Sequence, residues 1–198
     1  MGCIRLRSFG ANATEEMRNA IQDLERQQVA GYILDLRTNP GGLLFSSIEV
    51  ARMWMPEGTI VSTFNRQGEV DRQLASQRAL TDKPLVILVN EGTASGSEIL
   101  AGALQDNQRG LLIGTQTLGY NSIQSVRGLG DGSGLAVTIA LWRTPNQRDI
   151  GSSGITPDVV VTLTPAQQQA MIRERSAGTM ADPQYAKAVE KLTELIKI

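Results

Sequence analysis

Residues 84–89 read Pro-Leu-Val-Ile-Leu-Val, an apolar run with no polar face. Such a strand predicts burial on both sides, as in the middle of a parallel sheet, because a half-exposed strand alternates instead. Parallel neighbours cannot be joined by tight hairpins, so the chain must also supply helical crossovers. Residues 13–28, 43–55 and 97–108 provide them. In the first, Met17, Ile21 and Leu24 share one face behind Glu15 and Glu16, with Thr14 expected as the cap. Further strands are expected within 3–9, 110–115 and 155–163, and 31–42 reads as a strand ending in a turn. Residues 59–76 suggest a hairpin around Gln67-Gly68, and 121–129 and 133–144 read as strands. Two polar helical stretches, 165–177 and 183–197, end the sequence and are expected to pack only at the edge. The repeated strand–helix–strand order predicts an α/β fold with a mostly parallel core.

The length of 198 residues suits one domain with a modest appendage, and 41 % hydrophobic residues suffice for a substantial core. A net charge of −1 argues against nucleic acid or an anionic membrane surface as partner. One cysteine, Cys3, and no histidine leave no expected disulfide, metal site or cofactor. No apolar run approaches the roughly 18 residues of a membrane span. The N-terminal segment lacks the apolar region of a signal peptide, so the sequence as written is expected in the cytoplasm.

Two stretches could carry chemistry. The strand at 84–89 runs into a turn of small residues holding Ser95 and Ser97, where a helix then begins. Amides at such a helix start are unpaired, so a serine there could attack a carbonyl while a neighbouring N–H holds the oxyanion. The spacing from Ser95 to Glu98 equally fits a capping box, with no chemistry at all. The other stretch is Leu34-Asp35-Leu36-Arg37-Thr38-Asn39-Pro40-Gly41-Gly42. Asp35 and Arg37 share a strand face, and the two glycines let backbone approach a ligand closely. Alone, it also reads as a surface ion pair before an ordinary turn.

Taken in order, "LDLRTNPGG", "VNEGTASGSEILAGALQDN", "GTQTLGYNSIQSV", "DGSGLAVTIALWRTPNQRDI" and "GITPDVVV" resemble the carboxyl-terminal processing proteases. These tail-specific proteases form the S41 serine peptidase family, and the likeness is nearest to the branch that trims the photosystem II D1 protein in cyanobacteria and chloroplasts. The resemblance implies a crotonase-like spiral of βαβ units with a mostly parallel core sheet and C-terminal helices. It divides the chain into a protease core at 1–163 and a helical extension at 164–198. It also implies substrates with extended apolar carboxyl tails, a possible homo-oligomer, and a periplasmic or thylakoid-lumen compartment if the chain is part of an exported precursor. A PDZ domain and an export signal precede the core in such proteins; neither is read in this sequence.

The resemblance assigns attack to Ser95, one oxyanion amide to Gly41 or Gly42 and the other to Gly96, where the family has alanine. Glu98, Asp35 and Arg37 become supporting residues, and Gln124 matches a glutamine of the family. Its base is a lysine twenty-five positions after the serine, which here is Tyr120. A desolvated lysine can serve as base, whereas a phenol ordinarily keeps its proton to about pH 10. The chain's four lysines, Lys83, Lys187, Lys191 and Lys197, fall before the apolar strand or on the tail helices. The expectation is a serine peptidase of weak or lost activity, a candidate pseudoenzyme; the alternative is a non-catalytic peptide-binding or assembly module.

Overall fold

The computed structural model describes residues 1–197. In chain order these form β1 (Gly2–Arg5), α1 (Ala13–Arg26), β2 (Tyr32–Asp35), α2 (Leu44–Trp54), β3 (Thr59–Asn65), β4 (Gly68–Leu74) and β5 (Leu85–Val89). Then follow α3 (Gly96–Asp106), β6 (Leu111–Gly114), β7 (Ser122–Gly128), β8 (Gly134–Arg143), β9 (Val159–Val160), α4 (Pro165–Glu174) and α5 (Pro183–Ile196).

One sheet has five strands in the order β1-β2-β5-β6-β9, every neighbouring pair parallel. At its centre all five residues of β5 are buried, because both faces are covered. Leu85, Ile87 and Val89 point into a large core with Met17 and Ile21 of α1, Trp54 of α2 and Leu100 and Leu104 of α3. Val86 and Leu88 point the other way, onto Ala188 and Leu192 of α5. The last helix therefore lies across a sheet face rather than at its edge. Its apolar residues at helical spacing complete the second half of the core. Helix α1 starts two residues earlier than Thr14 as cap would set it, with Asn12 in the cap position.

The expected crotonase-like spiral of βαβ units is not formed. Four strands leave the parallel sheet and make a second, antiparallel one in the order β4-β3-β8-β7. Its hairpins, β3–β4 and β7–β8, turn back within a few residues and so cannot belong to a parallel crossover. Ile60 and Val61 of β3 and Trp142 of β8 anchor this sheet to the large core. The architecture is a mixed one: a parallel sheet, an antiparallel sheet and carboxyl-terminal helices. Among the described residues no helix is long and apolar enough to cross a membrane.

Asp35 and Arg37 are not a surface pair. Both are buried, and Arg37 donates to Asp35 from Nε (2.9 Å) and Nη2 (2.8 Å). Its Nη1 reaches Asp182 (2.8 Å) and the Gln184 amide oxygen (3.0 Å), which fastens the start of α5 to the end of β2. Burial alone pulls the Arg37 pKa down, but the hydrogen bonds and charge of Asp35, with Asp182 behind it, outweigh that and raise it. Arg37→Met should destabilise the protein by about 3–5 kcal/mol, since two buried carboxylates lose their cation. Urea unfolding of the two proteins measures this; a loss under about 1 kcal/mol would mean that water reaches the pair.

Candidate active site

The two motifs meet at the carboxyl edge of the parallel sheet, where ligand crevices of such sheets lie. Three cross-bonds stitch the turn after β2 to the turn after β5. Thr38 N–H donates to Asn90 Oδ1 (2.7 Å), Ala94 N–H to the Asn39 carbonyl (3.0 Å), and Thr93 Oγ1 to the Leu36 carbonyl (2.9 Å). The turns fit this closely only because of glycine. A Cβ on Gly41 would lie 2.6 Å from the Gly96 nitrogen, and one on Gly42 2.5 Å from the Phe9 carbonyl oxygen. Both glycines also have positive φ, 91° and 143°. At Gly96, by contrast, a Cβ would meet Ser47 at an ordinary 3.4 Å, so glycine in place of alanine is sterically neutral there.

Ser95 sits at φ 52°, ψ −117°, far from the extended conformation of a normal helix cap. A non-glycine residue in that region carries strain, and such strain concentrates at functional sites. Its N–H donates to Glu98 Oε2 (2.9 Å), the glutamate's half of a capping box. So the capping pattern and the strained serine coexist. The amides of Gly42 and Gly96 enter no hydrogen bond among the described residues, whereas the Gly41 amide is taken by Asn39 Oδ1 (2.9 Å). An oxyanion placed between two free amides of this kind is stabilised as its charge develops.

Glu98 is fully buried and gathers the site around it. Besides Ser95, its carboxylate accepts from the amides of Gly119 (2.7 Å) and Tyr120 (2.9 Å) and from the Thr117 hydroxyl. Thr117 is itself oriented by accepting from the Ile155 amide (2.7 Å). Tyr120 is thereby carried to a cleft of about 550 Å³ that Ser95, Gly96, Gly42 and Gln124 also line. Apolar walls come from Leu43, Ile99, Val126 and Trp142. A bulge between Ile123 and Gln124 marks where β7 presents Gln124 to the cleft.

Of the residues expected here, Ser95, Tyr120, Gln124, Gly42 and Gly96 line the cleft, while Gly41 packs against Gly96 and Ser95, and Glu98 accepts from the Ser95 and Tyr120 amides without lining it. Asp35 and Arg37 lie away from the cleft: Arg37 lines a separate cavity and, held by Asp35, pairs with Asp182 at the start of α5. Ser97, the second serine of the turn, is fully buried with an unpartnered hydroxyl and does not line the cleft. No lysine lines it either. Lys83 is paired with Glu25 (2.6 Å) before β5 begins, and Lys187 and Lys191 pair along α5. The sequence reading missed Asn39, Thr117, Asp182 and Gln184. An asparagine before Pro-Gly hints at a side-chain-closed turn, but nothing local marks the other three.

Residues 1–161 match peptidase family S41, and the chain belongs to that family. It is 52 % identical over 193 residues to a carboxyl-terminal-processing protease of Synechocystis, covering 98 % of this chain and 44 % of the relative. It is 46 % identical over 163 residues to the chloroplastic carboxyl-terminal-processing peptidase 3 of Arabidopsis thaliana, covering 81 % and 31 %. The chain thus spans less than half the length of these relatives. The solved photosystem II D1 C-terminal processing protease superposes with a TM-score of 0.78 at 41 % identity, covering 92 % of this chain and 48 % of that one. A likeness in fold alone extends to the tricorn protease, with a TM-score of 0.59 at 22 % identity, covering all of this chain and 18 % of that one. The fold is accordingly that of the tail-specific proteases and not the crotonase spiral.

Glu98→Gln replaces an acceptor of several donors by a group that must itself donate. At least one buried amide then loses its partner, which costs about 1–3 kcal/mol. Amide exchange at Gly119 and Tyr120 should accelerate with that loss of stability, read by hydrogen-exchange NMR. Unchanged exchange would show that the loop holds without the carboxylate.

Proposed function

We propose that this chain is the peptidase domain of a carboxyl-terminal processing protease, attacking extended, apolar tails of protein substrates through Ser95. The observation that carries the reading is the strained Ser95 beside the two free amides of Gly42 and Gly96. Ser95 Oγ attacks the scissile carbonyl carbon, and the electron pair moves onto oxygen, which the two amides stabilise. The proton removed from Ser95 passes to the leaving nitrogen, collapse expels the amine of the carboxyl-terminal fragment, and water then hydrolyses the acyl-serine. The apolar cleft walls suit apolar side chains of the substrate.

The weak step is proton removal from Ser95. No side chain among the described residues hydrogen-bonds its hydroxyl, and the group nearest in role to the family's lysine is the phenol of Tyr120. A phenol or a water relayed by it is a poor acceptor at neutral pH, so turnover is slow. Oxyanion donors and substrate binding alone sustain roughly 10³–10⁴-fold over water in serine hydrolases lacking part of their triad. The same tyrosine favours a second reading, in which the cleft holds peptide without cutting it.

Cleavage of an unstructured protein with an apolar carboxyl tail separates the two. The parent chain should cut slowly, Ser95→Ala should abolish cutting, and Tyr120→Lys should raise the rate by about 10²-fold or more, the usual scale of a general base. If Tyr120→Lys cuts no faster than Ser95→Ala while both bind the substrate, the non-catalytic reading replaces the peptidase.

A further inference from the structure

A second cavity of about 480 Å³ lies at the same sheet edge and shares no lining residue with the Ser95 cleft. Its floor is a row of strand ends: Arg5 ends β1, Thr38 follows β2, Asn90 and Glu91 follow β5, and Thr115 follows β6. The volume is that of a ligand pocket, and the position outside the carboxyl ends of parallel strands is where such pockets occur. Helix α4 makes the roof with Met171 and Ile172. No residue of α4 is buried, and Ile172 is 79 % exposed, so apolar surface stands uncovered above a polar floor.

The charges at this floor are specific. Arg37 reaches the cavity, but it is already paired with both Asp35 and Asp182, so it is not free to hold an anion. Arg5 makes no ion pair among the described residues, and Glu91 accepts only from Thr115 Oγ1 (3.0 Å). One cation and one anion thus remain available two strands apart in the row, after β1 and after β5. The ends of β1 and β5 lie two strand spacings apart, roughly 10 Å, the length of about three extended residues.

We propose that this cavity binds a short apolar peptide with free ends, Arg5 taking the α-carboxylate and Glu91 the α-ammonium. Met171 and Ile172 cover its side chains. The idea rests on the peptidase reading only for the peptide's source, since removing a tail releases short fragments with both ends free. Contact with Thr38 and Asn90 places the bound peptide on the bond that joins the two turns behind the cleft.

The test is calorimetric titration of the full chain carrying Ser95→Ala, with the tripeptide Ala-Leu-Ala as probe. Because nothing is cut in this protein, the result does not depend on whether the parent is an active peptidase. The free tripeptide should bind. Acetylating and amidating its ends, or introducing Arg5→Gln or Glu91→Gln, should each weaken binding by about tenfold or more, as expected for charge-assisted hydrogen bonds. Ile123→Arg, which obstructs the Ser95 cleft, should leave it unchanged. No binding at millimolar peptide overturns the proposal, as does equal affinity for the blocked peptide. Loss through only one of Arg5 and Glu91 refutes the two-ended site, and loss through Ile123→Arg alone moves the peptide to the other cleft.

Discussion

One buried carboxylate holds together what the rest of the site requires. Glu98 projects from the first turn of α3, where it binds the amide of the serine that starts that helix. With its remaining capacity it takes in the 117–120 loop, twenty residues further along the chain. A carboxylate without a counter-cation is costly to bury unless its oxygens are saturated with donors, and here they are. The requirement acts in both directions. The turn after β5 and the loop before β7 must come together for Glu98 to be satisfied, and once together they define the cleft.

A second buried charge does the same for the tail. Arg37 leads into the glycine turn on one side and is gripped by Asp182 and Gln184 on the other. Asp182 also caps α5 by accepting from the Gln184 amide (3.0 Å) and the Tyr185 amide (3.3 Å). The helix that covers the second sheet face is therefore registered by the same arginine that stands before the Gly41–Gly42 turn. Core packing and site geometry share this residue.

The central strand and its flanking helices were legible because apolar periodicity is a local property, and β5 has no face on which a polar residue could be tolerated. Hairpin turns were legible from Gln67-Gly68 for the same local reason. The assignment of strands to two sheets was not, since β7 and β8 read as strands equally well in either sheet and pairing is decided by distant partners. At the site, Ser95, the glycine turn and Tyr120 are singled out by likeness to the family's motifs, and the structure brings Ser95, Gly42 and Tyr120 to one cleft. Which of Gly41 and Gly42 keeps a free amide could not be read that way, because that depends on where the Asn39 side chain points. Asp182 lies 145 positions from Arg37, and no sequence signal joins them.

Glu98 grips residue 120 through its backbone amide alone, and the side chain itself makes none of the bonds that hold the loop. The scaffold is thus indifferent to what is mounted there, in the way a tool holder is indifferent to its tool. The side chain at 120 can be exchanged without removing any of the hydrogen bonds that hold the turn beneath it. What the cleft presents at this point and what holds the loop in place are therefore set by different atoms of the same residue.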